Sequence, residues 1–233
     1  MKIIILCGGK GIRAFPFTEY LPKPMLPVGG SPIIVQVVKN FIAQGYCDFI
    51  LAAGYRQDVL VDYFDGKNLG ANIEILDTGE ETDTGGRVLA CKEHLGEQFI
   101  VTYADGLCDV PIKKLVERHN KNDGLATITS VPLYSQYGVI DIDETNRITQ
   151  LREKPVIDEH WINAGFIVFD KEVFDHWEGT NMEQHVFPSL VAKGLVHAYP
   201  HRGFFKSLDS YKDQIEFSEL ASITPPPWRV RED

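Results

Sequence analysis

Residues 1–7 set Ile3, Ile4, Ile5 and Leu6 side by side, and Gly8 and Gly9 follow at once. Successive side chains on a strand point to opposite faces, so an unbroken apolar run must be covered on both. Such a strand belongs inside a parallel sheet. The pattern then repeats with helical spacing between the strands. Ser31 and Pro32 read as an N-cap and a first helical position, and Ile33, Ile34, Val37, Val38, Phe41 and Ile42 recur at helical intervals up to Gly45. Residues 47–53 form a second buried strand, 57–64 a short helix, 71–76 a third strand, 86–95 a helix and 98–103 a fourth strand. Asp105 sits just past its carboxyl end.

Strands alternating with helices predict an α/β fold built from right-handed crossovers, with ligands outside the carboxyl ends of the strands. That rule aligns the glycine-rich segment after the first strand, Gly54, residues 84–87 and Asp105 along one rim. The second half changes character. Residues 125–131, 139–143, 147–152 and 161–169 read as strands, the middle two joined by Glu144, Thr145 and Asn146, with helices over 171–177 and 182–193. The tail Pro225-Pro226-Pro227-Trp228 ends the last helix. No repeat or long linker divides the 233 residues, so one domain is expected, with residues 1–110 and 111–233 as its halves.

Charge narrows the partners. With 23 basic and 33 acidic residues the net charge is −10, which repels a phosphodiester backbone, so no nucleic-acid partner is expected. No run of about 18 apolar residues could span a bilayer. No membrane partner is expected, and the chain reads as cytoplasmic. Cys7, Cys47, Cys91 and Cys108 lack metal-ligand pairing in sequence and read as reduced, mostly buried thiols; the histidines lack Zn²⁺ spacing and read as surface or packing residues.

Glycines 8, 9 and 11 let a turn present several N–H groups to a phosphate. The order Gly-Gly-Lys-Gly-Ile-Arg is neither that of a dinucleotide fold nor that of a P-loop. Arg13 in the same loop, and Lys23 stiffened between Pro22 and Pro24, add two placed cations, which suits a triphosphate losing pyrophosphate. An aspartate after a strand is also a common helix cap, a second reading open to Asp105 and to Asp209 before Ser210.

These residues fall in a series. Gly8-Gly9-Lys10-Gly11-Ile12-Arg13, Pro22-Lys23-Pro24-Met25, Thr84-Gly85-Gly86-Arg87, Tyr103-Ala104-Asp105-Gly106, Glu153-Lys154-Pro155, Ile162-Asn163-Ala164-Gly165 and Leu208-Asp209 follow one another in the order of the sugar-1-phosphate nucleotidyltransferases, which the chain resembles over nearly its whole length. Within that family it is most similar to the glucose-1-phosphate cytidylyltransferases. The resemblance implies a Rossmann-like mixed, mostly parallel sheet flanked by helices, with a nucleotide-binding first half and a sugar-phosphate-binding second half. It implies that Leu6, Gly8, Gly9, Gly11, Ile12, Arg13, Lys23, Thr84, Gly85, Gly86, Arg87, Tyr103 and Ala104 bind the nucleotide, CTP being favoured, with Arg13 and Lys23 catalytic. Asp105 and Asp209 match aspartates that bind Mg²⁺, whose ligands are hard oxygens. Tyr137, Gly138, Glu153, Lys154, Asn163 and Ala164 match the sugar-phosphate pocket. A homo-oligomer is implied by the family alone.

Departures from the cytidylyl pattern fall in the glycine loop, at Ile12, and near the sugar side, at Ala104, Ala164 and Phe205. Ile12 replaces the usual threonine, Ala104 and Ala164 replace glycines, and Phe205 replaces a tryptophan. The segment Glu183-Gln184-His185-Val186-Phe187-Pro188-Ser189 looks more like that of heptose-phosphate guanylyltransferases. GTP or dTTP, and another phosphorylated acceptor, therefore stay open beside CTP and glucose 1-phosphate, as does a non-catalytic nucleotide sensor.

Overall fold

The computed structural model describes residues 1–11 and 17–230. The first half runs β1 (Lys2–Leu6), a short ladder of β2 (Pro27–Val28) and β3 (Ser31–Pro32), α1 (Ile33–Ile42), β4 (Asp48–Ala53), α2 (Gln57–Phe64), β5 (Asn72–Asp77), α3 (Thr84–Ala90), β6 (Gln98–Tyr103) and β7 (Gly106–Cys108). It continues through α4 (Ile112–His119), β8 (Ala126–Tyr134), the hairpin β9 (Val139–Ile142) and β10 (Ile148–Arg152), and the long β11 (Val156–Asp170). α5 (Phe187–Ala192), β12 (Val196–Pro200), β13 (Phe205–Ser207) and α6 (Tyr211–Ala221) complete it.

Seven strands form the central sheet in the order β12-β8-β11-β6-β1-β4-β5. β1 is parallel to both β4 and β6, β4 is parallel to β5, and β12 is parallel to β8, whereas β11 runs antiparallel to β6 and β8. The sheet is thus mixed and mostly parallel, as the sequence implies. Alternate residues of β1 feed two separate cores. Ile3 and Ile5 pack with Val37, Val38 and Phe41 of α1 on one face, and Ile4 and Leu6 with Val88 of α3 and Phe99 on the other. That division is why four adjacent apolar residues are needed there.

From β1 the chain moves outward to β4 and β5, then returns to the opposite side of β1 as β6. The connections leave β1 and β6 in opposite directions. A crevice therefore opens at the carboxyl ends of these two strands.

Several elements depart from expectation. Ser31 and Pro32 pair with Val28 and Pro27, and α1 begins one residue later. The helix expected over 86–95 begins at Thr84, ends at Ala90 and gives way to a 3-10 turn at Lys92–His94. Residues 171–177 also form a 3-10 turn, Lys171–His176. The helix expected over 182–193 divides into a π turn, Met182–Val186, and α5, because Pro188 near the start of α5 lacks the N–H that a continuous helix needs. Cys7, Cys91 and Cys108 are buried and Cys47 is exposed, all as free thiols. Among the described residues no helix is long and apolar enough to cross a membrane.

Candidate active site

Leu6 and Tyr103 are register partners at the ends of β1 and β6, so the segments that follow them emerge side by side. Ala104 N–H donates to the Leu6 carbonyl at 3.2 Å, which fixes Asp105 at the crevice floor. Opposite stands Lys23, opening a 3-10 turn that is closed by Met25 N–H on the Pro22 carbonyl at 2.8 Å. Lys23 is only 7% exposed. Its ammonium donates to Asp105 Oδ2 at 2.5 Å and to Asp209 Oδ1 at 3.0 Å.

The two aspartates are far apart in sequence and are joined by a two-stranded ribbon. β7 follows Asp105 and β13 precedes Asp209, with Gly106 opposite Ser207, and Leu208 N–H donates to the Asp105 carbonyl at 2.8 Å. Ser207 Oγ donates to Asp209 Oδ2 at 2.8 Å. Asp209 is not the cap of α6. Ser210 caps that helix and forms a capping box with Asp213, leaving the Asp209 carboxylate on Lys23. Asp105 likewise lies in the turn between two strands and caps nothing.

Above this floor is a cavity of about 780 Å³ lined by Gly8, Gly9, Gly11, Lys23, Asp105 and Asp209, and by Leu6, Thr84, Arg87, Tyr103, Ala104, Asn163 and Ala164. Arg13 and Ile12 lie outside the described residues. Added Cβ atoms explain two of the glycines from within the protein: at Gly8 one would fall 2.1 Å from Arg87 Nη1, and at Gly11, with φ +63°, 2.8 Å from Lys23 Cβ. At Gly9 a Cβ meets no described residue within 4 Å.

Arg87 stands at the edge of the cavity with its guanidinium turned to the backbone. It is 3% exposed, and its guanidinium donates to the carbonyls of Ala53, Gly79, Gly8 and Glu80 at 2.8–3.1 Å and to Thr78 Oγ1 at 2.6 Å. At the cavity wall it ties the glycine loop to the ends of β4 and β5. Gly85 and Gly86 do not line the cavity; they pack on Thr180, whose carbonyl accepts from Gly86 N–H at 2.8 Å.

Glu183 is a cavity residue to which the sequence assigns no role. Its carboxylate accepts from Thr84 Oγ1 at 2.8 Å and from the Tyr103 hydroxyl. Burial, and then the charge of Glu183, push the Tyr103 phenol well above its ordinary value, so it remains a hydrogen-bond donor. An isolated glutamate in a turn carries no local signal. Only the folding of residues 182–186 against α3, through Met182 N–H on Thr84 Oγ1 at 2.9 Å, brings it to the crevice.

Four expected sugar-side residues are not gathered. Tyr137, Gly138, Glu153 and Lys154 flank the β9–β10 hairpin, outside the cavity lining, and Tyr137 is 77% exposed. Among the described residues the hairpin pairs only with itself, and it carries Ile140, Ile142, Ile148 and Leu151 exposed.

The family model described as Nucleotidyl transferase matches residues 2–208. The chain is 31% identical over 258 residues to the glucose-1-phosphate cytidylyltransferase of Salmonella typhi, covering 100% of both chains. It is 34% identical over 225 residues to the mannose-1-phosphate guanyltransferase of Aspergillus oryzae, covering 91% of this chain and 62% of that protein. Among solved structures, HddC from Yersinia pseudotuberculosis complexed with GMP-PN superposes with a TM-score of 0.73 at 22% identity, covering 94% of this chain and 98% of that one.

Proposed function

This chain belongs to the nucleotidyl transferase family, and from that premise we propose that it transfers CMP from CTP to a sugar 1-phosphate, glucose 1-phosphate first, with release of pyrophosphate. The observation that carries this reading is the convergence of Lys23, Asp105 and Asp209 beneath a glycine loop. An oxygen of the sugar phosphate attacks the α-phosphorus, one P–O bond forms, and the bond to pyrophosphate breaks. That oxygen is already anionic at neutral pH, so no general base is needed and alignment with charge neutralisation supplies the rate.

Asp105 and Asp209 suit the divalent ion that the family resemblance implies: both are hard-oxygen donors and both already bind the Lys23 ammonium. When bound there, Mg²⁺ would neutralise phosphate oxygens. Lys23 is held by its turn and by two carboxylates, so its charge is in position before substrate arrives. Tyr103, Asn163 and Glu183 form a polar wall suited to hydroxyl groups. Arg13 remains the second proposed phosphate ligand, and Glu153 and Lys154 the proposed grip on the acceptor phosphate.

The full-length likeness to cytidylyltransferases supports CTP, and the 34% identity to a guanyltransferase makes GTP the second candidate. Four nucleoside triphosphates against a panel of sugar 1-phosphates, read by pyrophosphate release, test this directly. CTP with glucose 1-phosphate is expected to give the highest kcat/KM. A clear preference for GTP overturns the base assignment, and no release from any pair overturns the reaction.

Gly9 supplies a second test. Since no described residue crowds an added Cβ there, Gly9→Ala should leave the thermal midpoint within about 2 °C, less than 1 kcal/mol for a chain of this size. A phosphate lying on the loop would be displaced by the methyl. The loss of one charge-assisted hydrogen bond, about 1.5 kcal/mol, then raises the nucleotide KM about tenfold. An unchanged KM removes the loop from the binding site.

A further inference from the structure

The ribbon that carries Asp105 and Asp209 has a second end, where three side chains unused by the proposed reaction converge. Cys108 closes β7, Asp109 follows it, and His201 follows β12; one donor atom from each lies within 4.8 Å of the other two. His201 Nε2 and Asp109 Oδ1 are 2.6 Å apart, and Cys108 is fully buried. Backbone contacts fix all three. Asn40 Nδ2 donates to the Cys108 carbonyl at 2.8 Å, Asp109 N–H to the Phe204 carbonyl at 3.1 Å, and His201 N–H to the Ser130 carbonyl at 2.8 Å. Gly203 closes over them: a Cβ there would fall 2.3 Å from Asp109 Oδ1 and 2.6 Å from His201 Nε2. Only glycine leaves these donors their room.

We propose that Cys108, Asp109 and His201 form a site for one divalent ion of the zinc class, completed by a water. Sulfur, imidazole nitrogen and one carboxylate are the donors that Zn²⁺ takes, whereas Mg²⁺ takes oxygen alone. Tetrahedral bonds of about 2.0–2.3 Å set donors about 3.3–3.8 Å apart, so the widest pair, within 4.8 Å, closes by roughly 1 Å while His201 Nε2 and Asp109 Oδ1, at 2.6 Å, part by about 0.7 Å as the metal replaces their hydrogen bond. The Cys108 S–H proton leaves to solvent as the metal–sulfur bond forms. The ion ties the end of β7 to the segment entering β13 and so braces the ribbon from the end opposite the two aspartates. Cys108 and His201 are 93 positions apart, which is why no spacing in the sequence reveals the site.

Cobalt is the probe, because a thiolate ligand gives an intense near-ultraviolet charge-transfer band that oxygen ligands do not. Ions held by Asp105 and Asp209 are therefore silent in that band, and failure of the proposed reaction leaves this test untouched. The reduced full chain is stripped of metal and titrated with Co²⁺, and a second sample is produced in cobalt-supplemented medium so that burial of the thiol cannot hide the site. The expected result is one equivalent of tetrahedral Co²⁺ with the thiolate band in at least one sample. Cys108→Ser abolishes the band, replacing Cys47 by serine does not, and Gly203→Ala weakens binding by about 10–100-fold, the range that outer-shell partners command. Absence of the band from both wild-type samples, or its survival in Cys108→Ser, overturns the site.

Discussion

Asp105→Asn is expected to lower turnover by about 10³-fold while leaving the fold in place. The asparagine is isosteric, and the Asp105 carbonyl, which takes Leu208 N–H, is untouched, so the ribbon that aligns Asp209 persists. Lys23 keeps Asp209 at 3.0 Å and is not left as an unpaired buried charge. The stability change should therefore stay near 1 kcal/mol, a shift of no more than about 4 °C for a chain of this length. Catalysis has no such reserve. Removing one preorganised charge from a phosphoryl-transfer site costs about 10²–10³ in kcat, and here the charge is also half of the carboxylate pair proposed to hold the divalent ion. Steady-state pyrophosphate release at saturating Mg²⁺, beside a circular-dichroism melt, makes the comparison. Turnover within threefold of wild type with an unchanged melt would remove Asp105 from the reaction.

The sequence made the sheet half-legible, and the reason is physical. Strands covered on both faces must be apolar throughout, so β1, β4 and β6 are visible as runs and fall within a residue or two of their expected bounds. β7 and β13 have three residues each, too few to show a period, yet their pairing is what brings Asp105 to Asp209. β12 escaped notice because His197 and Pro200 interrupt its apolar pattern. Motif order singled out Lys23, Asp105 and Asp209, which are separated by 82 and 104 positions and meet in one ion-pair cluster. Motif order could not say which way a side chain turns. Glu183 enters the cavity only through the packing of residues 182–186 on Thr84, and Tyr137, Gly138, Glu153 and Lys154 stay with a hairpin that the main sheet does not pair.

Removal of Arg87 should affect stability more than any other single change in the site. A ligand arginine would keep donors turned to the cavity; this one spends both terminal nitrogens on four backbone carbonyls and a hydroxyl drawn from the glycine loop, β4 and the segment after β5. In Arg87→Ala five hydrogen bonds are lost and a cavity replaces the side chain, although the Gly8 carbonyl keeps Tyr55 N–H and the Ala53 carbonyl keeps Thr78 N–H. At about 0.5–1.5 kcal/mol net for each hydrogen bond, the expected loss is roughly 3–5 kcal/mol. That corresponds to a fall of about 10 °C in the thermal midpoint. Arg87→Lys recovers only part of it, because one ammonium cannot span five acceptors arranged around a planar fork. The nucleotide KM rises in both variants, as the loop bearing Gly8 and Gly9 loses its tether. The melt distinguishes the two roles: an arginine whose purpose is to bind nucleotide can be removed with the midpoint within about 2 °C of wild type, and that outcome would return Arg87 to the ligand set.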